Sequence, residues 1–156
     1  KQLACNTDLR FAWVRLFSSY GPKDGAAWVL PYTINCLLKN QKPSLTHCEQ
    51  LWDYVYVSDV AQAIYAIAQC SKVTGILNVG SGKVLPLRYI IETARDMINP
   101  ILPIGFGEIP YRKNQVMSLQ PDISRIEKLT GWVPSTGLRE GLQQTINWLR
   151  QNNIGK

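Results

Sequence analysis

The stretch Trp13-Val-Arg-Leu-Phe-Ser-Ser-Tyr-Gly-Pro22 limits what this chain can fold into more than any other. From Phe11 to Phe17 the residues are apolar and partly β-branched, and they give way to Ser18 and Ser19 before a Tyr-Gly-Pro turn. That pattern predicts a buried strand that stops where backbone must come close to something else. Such a strand needs pairing at its edges and cover on its faces. Residues 1–10 are too few to supply either, so the chain reads as the C-terminal part of something larger.

The rest of the sequence bounds the possibilities. A chain of 156 residues with 46% apolar residues, five Trp and seven Tyr suits one soluble, ordered domain. At that length about 70% of the unfolded surface is buried on folding. No apolar run approaches the ~18 residues of a membrane span. The start at Lys1 lacks both an initiating Met and a signal-peptide pattern, which suits an internal start. Cys5, Cys36, Cys48 and Cys70 lack CxxC spacing, so reduced thiols in a cytoplasmic protein are expected in preference to disulfides or zinc. The net charge is +6, but Lys and Arg are dispersed with no run longer than two. A solvated surface comes first, a basic cleft for a phosphorylated small molecule second and nucleic acid a distant third.

Periodicity gives the elements. Ala26–Leu38 reads as a helix with Pro31 in its first turn, and a short strand near Ser44–Thr46 sits in a polar loop. Leu51–Val57 is a strand dense in aromatic and β-branched residues, after which Ser58 can cap a helix with Val60, Ala63, Ile64 and Ile67 on one face. A strand Ile76–Val79, a turn at Gly80-Ser-Gly82 and a helix over about 86–99 follow. Room remains for a strand around 102–106, with 109–120 irregular. Asp122 can cap a short helix that Gly131 ends, and a last helix runs over about 137–151 with Leu138, Leu142, Ile146 and Leu149 inward. Strands separated by helices define an α/β class.

Chemical motifs are sparse. A P-loop needs Lys after its second glycine, but Ser81 stands there; Leu85 occupies the third glycine of a dinucleotide fingerprint. Gly80-Ser-Gly82 therefore reads as a turn needing positive φ. His47 is the only histidine and has no nucleophile motif beside it, no HxH or HExxH pattern exists, and Tyr-x-x-x-Lys is absent. Arg112, in Pro110-Tyr-Arg-Lys-Asn-Gln115, is a permanently charged donor fork on a loop; it suits a pyrophosphate, although a plain surface arginine is the simpler reading.

Five stretches together resemble the C-terminal half of the extended short-chain dehydrogenase/reductase family, the NAD-dependent sugar-nucleotide epimerases and dehydratases. Arg15-Leu-Phe-Ser-Ser-Tyr-Gly-Pro22 resembles the family's Arg-x-x-Asn-x-Tyr-Gly-Pro, and Trp52-Asp-Tyr-Val-Tyr-Val-Ser-Asp-Val-Ala61 its Arg-Asp-Phe-Val-Tyr-Val-Asp-Asp-Val-Ala. Ile76-Leu-Asn-Val-Gly-Ser-Gly82 is similar to Tyr-Asn-Val-Gly-Ser-Gly, and Arg112-Lys-Asn-Gln-Val116 sits at Arg-Pro-Gly-Asp-Val. Asp122-Ile-Ser-Arg125, Leu129-Thr-Gly-Trp-Val-Pro134 and Leu138-Arg-Glu-Gly-Leu142 match the closing motifs.

The resemblance implies an α/β fold made of one late Rossmann strand (residues 1–22, with the end of the catalytic helix) and a smaller substrate-binding domain (residues 23–156). It implies NAD or NADP as cofactor, bound mostly by an N-terminal domain that is absent here, with Leu16, Phe17 and Ser19 beside it. It implies a nucleotide-diphosphate sugar as partner, met by Ser18, Trp28, Val29, Trp52, Arg112 and Gln115. Arg112 would grip the pyrophosphate and Gln115 take the place of an acidic residue that often binds the ribose. In such enzymes a tyrosine removes a hydroxyl proton while hydride passes to the cofactor; this chain would clamp the substrate and show no turnover alone. Ser18 replaces an asparagine and Trp52 a second phosphate-binding arginine, so neither sugar nor base is named. A homodimer is expected of the parent, and either self-association or pairing of the opening strand with the strand from Leu51 is expected of the chain alone. The alternative is a non-catalytic binding or regulatory protein on the same NAD(P) fold.

Overall fold

A computed structural model describes residues 10–152. The reading of residues 1–9 as a helix end or loop lies outside the described residues.

The opening stretch is two strands. β1 (Ala12–Leu16) pairs in parallel with β5 (Gly75–Val79), placing Trp13 beside Ile76 and Arg15 beside Asn78. At Phe17 the chain changes partners, and β2 (Ser18–Tyr20) pairs in parallel with the end of β4 (Leu51–Tyr56). Pairing with the Leu51 strand is thus confined to β2. The expected burial of Phe11–Phe17 does not hold: Trp13 is 58% and Leu16 48% exposed. Ala12 and Val14 pack inward, and no described element covers the outer face of this two-stranded sheet.

β4 is the pivot of the fold. β6 (Val84–Pro86) pairs antiparallel with its first half, and β8 (Ser118–Leu119) pairs in parallel with Leu51 and Trp52. A separate pair joins β3 (Ser44–Leu45) to β7 (Gly105–Phe106). Because side chains alternate along a strand, β4 serves two cores. Tyr56, with Tyr54 packed against it, joins one with Leu30 and Ile34 of α1 (Val29–Leu38), Leu87, Ile90, Ile91 and Ala94 of α3 (Leu87–Ile98), and Leu142, Ile146 and Leu149 of α5 (Leu138–Asn152). Val55 joins the other with Val60, Ala63 and Ile67 of α2 (Val57–Gln69), Leu77 and Val79 of β5, Ile126 of α4 (Ser124–Thr130) and Trp132.

Several boundaries shift for local reasons. α1 begins at Val29, not Ala26, with Trp28 extended before it. Ser58 lies inside the first turn of α2 and makes no cap, since that helix follows directly on the extended Tyr56. Ile64 is 53% exposed although the 3–4 spacing admitted it to the inner stripe. The strands β6 and β8 fall in segments read as a helix approach and an irregular loop; three and two residues are too short to show a period. α4 ends at Gly131, whose φ of +71° is the left-handed stop expected of it.

Candidate functional site

Two polar locks, at Asp53 in β4 and at Asp59 in the helix that follows it, fix the geometry around the strand. Asp53, fully buried, accepts the Ser81 amide at 2.7 Å and the Ser81 hydroxyl at 2.8 Å. Both donors of Ser81, at the centre of the Gly80-Ser-Gly82 turn, are thereby spent within the protein. Gly82 has a φ of +70°, and a Cβ on Gly80 would lie 2.4 Å from Pro121 Cγ, so both glycines answer to the turn and not to a phosphate. Asp59, also fully buried, accepts the Ser135 amide and hydroxyl and the Thr136 amide at 2.9–3.1 Å. This ties the start of α2 to the approach to α5.

On the other face of β4, Gln50, Trp52 and Tyr54 follow at spacing two and all line a cavity of about 600 Å³. Facing them are Ser18, Trp28, Val29, Tyr32, Arg112 and Gln115, with Ser44 to Thr46 at the rim of β3. All six residues that the resemblance assigned to substrate thus share one cavity. Ser19 lines an adjoining cavity of about 260 Å³ with Asp24 and Leu30, and Ser18, Trp28, Val29 and Tyr54 border both. Leu16 and Phe17 line neither; Leu16 ends β1 and Phe17 follows it, its amide donating to the Val79 carbonyl at 3.0 Å.

Hydrogen bonding shows what each lining group has left to offer. Trp52 Nε1 donates to Ser18 Oγ at 2.5 Å, so two of the three departures from the family pattern contact each other and Trp52 presents only its ring. Tyr32 Oη accepts the Ser44 amide at 3.3 Å, and Gln115 Nε2 donates to the Val116 carbonyl at 3.1 Å, leaving the Gln115 oxygen free. Ser44 Oγ donates to Glu108, which also pairs with Lys42; these two contacts hold the Glu108 carboxyl below the usual carboxylate range. Burial raises Tyr54 and Cys48, and it raises Asp24 against the opposing pull of the Gly25 amide. Among the lining residues Arg112 is the one charged group, and no carboxylate is among them. A lone guanidinium in a recess with four aromatic rings (Trp28, Tyr32, Trp52, Tyr54) favours an anion that also carries flat or apolar surface.

Tyr32, Thr46, Gln50 and Tyr54 were not found from the sequence. The alternation Gln50, Trp52, Tyr54 was the available signal, since Trp52 was already assigned and its neighbours at spacing two must share its face.

Parallel pairing of β1 with β5 and of β2 with β4, with helices packed against them, defines an α/β protein of Rossmann-like type. The family model of the NAD dependent epimerase/dehydratase family matches residues 2–80, and the chain belongs to that family. It is 32% identical over 153 residues to a protein named putative UDP-glucose 4-epimerase from Methanocaldococcus jannaschii, covering 93% of this chain and 47% of that one. To CDP-abequose synthase of Salmonella typhimurium it is 29% identical over 150 residues, covering 91% of this chain and 49% of the other. Its fold matches UDP-N-acetylglucosamine 4-epimerase from Methanobrevibacter ruminantium, solved with UDP-N-acetylmuramic acid, with a TM-score of 0.89 at 22% identity over 97% of this chain and 49% of that one. The chain spans about half the length of the curated relatives it matches.

Proposed function

We propose that this chain is the substrate-side half of a nicotinamide-dependent enzyme acting on nucleoside-diphosphate sugars, and that the 600 Å³ cavity holds the nucleotide. One observation carries the proposal. Residues scattered over positions 18, 28, 29, 52, 112 and 115 converge on one cavity whose single charged lining group is a cation. Arg112 clamps the pyrophosphate through its donor fork. Val29 opens α1, whose first amides lack helical partners and add a favourable dipole for a phosphate. Trp28 and Trp52 offer ring faces, and the free oxygen of Gln115 accepts a ribose hydroxyl. The smaller cavity, with Ser18, Ser19 and Asp24, takes the sugar.

NAD or NADP fits at the end of β1. Ligands of open parallel sheets lie beyond the carboxyl ends of the strands. Here those ends coincide at Leu16 and Val79, and the small residues Ser18 and Ser19 follow. Leu16, half exposed, and Phe17 form an apolar wall, and Ser19 faces the adjoining cavity. When bound, the nicotinamide supplies the hydride acceptor, and this chain contributes position and exclusion of water. The division at residue 22 stands as a proposal with one refinement: β5, α2 and α4 share a core with β1 and belong to the dinucleotide side.

Proton and hydride transfer then belong to an upstream half, because Tyr-x-x-x-Lys is absent from these residues. Keto-sugar formation should require both halves; turnover by the 156 residues alone would sink the assignment. Calorimetric titration with UDP-, dTDP-, CDP- and GDP-sugars should show binding of at least one. UDP compounds are the first probes, given the named relatives above.

A further inference from the structure

Among the described residues four buried side-chain atoms have no hydrogen-bond partner: Thr33 Oγ1, Gln50 Oε1, Asn78 Oδ1 and Trp132 Nε1. Of these residues only Gln50 lines either of the two cavities. It is 5% exposed, and its backbone is held on both sides. The Leu87 amide donates to the Gln50 carbonyl and the Arg88 amide to the Cys48 carbonyl, each at 2.8 Å, while Thr46 Oγ1 accepts the Cys48 amide at 3.3 Å. The backbone that carries Gln50 is therefore fixed, while its buried carboxamide oxygen is left as an idle acceptor. A buried acceptor without a partner costs stability, and such a cost persists where a ligand removes it.

We propose that Gln50 is a specificity-determining residue whose carboxamide oxygen accepts a hydrogen bond from the nucleoside part of the ligand. This rests on the reading of the cavity as a nucleotide site. Gln50 shares the larger cavity with Trp52 and Tyr32 and does not reach the smaller one, so the donor belongs to the ring-bearing end. Arg112 and the Trp52 ring accept no hydrogen bond of this kind, Tyr32 Oη already accepts the Ser44 amide, and the free oxygen of Gln115 lies on the loop that carries Arg112, so Gln50 is the buried acceptor of this cavity left without a partner. Two nucleoside groups have the required chemistry, a base N–H and a ribose hydroxyl.

The test is calorimetric binding of UDP to the 156-residue chain and to Gln50→Leu and Gln50→Met. Two altered probes accompany it, UDP methylated at the imide nitrogen and 2′,3′-dideoxyuridine diphosphate. Both variants should bind UDP about tenfold more weakly than the parent chain. One altered probe should show the same loss with the parent chain and no further loss with the variants, and that probe identifies base or ribose. Without ligand the variants should melt about 2–4 °C higher, because the orphaned acceptor is gone. Fully additive losses with both probes overturn the assignment, as does a fall in melting temperature with Gln50→Met, which marks a structural role. Failure of UDP, dTDP, CDP and GDP alike to bind the parent chain overturns the reading of the cavity, and this proposal with it.

Discussion

Arg112 gains importance from what surrounds it. A surface arginine pairs with nearby carboxylates or with water, but here no carboxylate lines the recess it borders. Hydrogen bonds to charged groups contribute about 1.5–3 kcal/mol, so Arg112→Ala should weaken UDP binding ten- to a hundredfold. Arg112→Lys keeps the charge and loses the fork, and should fall between the two. Equal affinities across the three proteins, measured by titration at fixed salt, would remove Arg112 from the site. Asp59 shows the opposite use of a charge. Its buried carboxylate satisfies three donors of the 135–136 segment, so Asp59→Ala leaves two amides and a hydroxyl without their acceptor. A loss of about 3 kcal/mol is expected in denaturant unfolding. Asp59→Asn, which retains one acceptor oxygen, should lose less.

At the scale of elements, close packing overrides helix propensity in α5. In an exposed helix, glycine to alanine gains roughly 1 kcal/mol. At Gly141 the added Cβ would lie 2.2 Å from Tyr20 Oη and 2.9 Å from Tyr56 Cδ2, both rings of the main core. Gly141→Ala should therefore lower the melting temperature, while Gly137→Ala, with open space around it, should leave it unchanged or slightly higher. Scanning calorimetry on the pair separates propensity from packing. α4 carries a pH dependence. The Ser124 amide donates to Asp122 at 2.9 Å, and bonding to Ser124 holds this carboxyl below its ordinary value. A lowered folded value means stability that is present above the ordinary carboxylate range near 4 and lost as pH falls through the folded value. Asp122→Asn should flatten that part of the stability–pH curve, and an unchanged curve would deny the coupling. The sequence showed these elements unevenly. The long helices were legible because ten or more residues carry a stripe. β6 and β8 were not, because each exists only through its pairing with a distant strand, whereas β7 falls at the end of the strand expected around 102–106. Asp122 and Gly131 marked their helix through local chemistry alone. The site was half legible: motif positions named Arg112 and Trp52, but no single stretch shows that Trp52 bonds Ser18 or that Gln50 is left without a partner.

For the whole molecule, the decisive feature is the uncovered face of the β1–β5 sheet. Parallel strands are normally covered on both faces. Here Ala12 and Val14 meet a core, while on the other face Trp13 beside Ile76 stands 58% and 49% exposed, with Phe11 close to Trp13. A chain spanning half the length of its relatives has an evident candidate cover in the other half. Apolar area removed from water contributes about 25 cal/mol per Å², so an uncovered tryptophan, isoleucine and phenylalanine favour association. In sedimentation experiments the isolated chain should self-associate with rising concentration, and Trp13→Lys with Ile76→Lys should abolish this without lowering helix content. Co-expression with the upstream half of a relative should yield a one-to-one complex that the same double substitution breaks. A chain that stays monomeric at high concentration and ignores the upstream half would mean that this face is stable in water as it stands. The junction with the upstream half would then lie elsewhere than along β1.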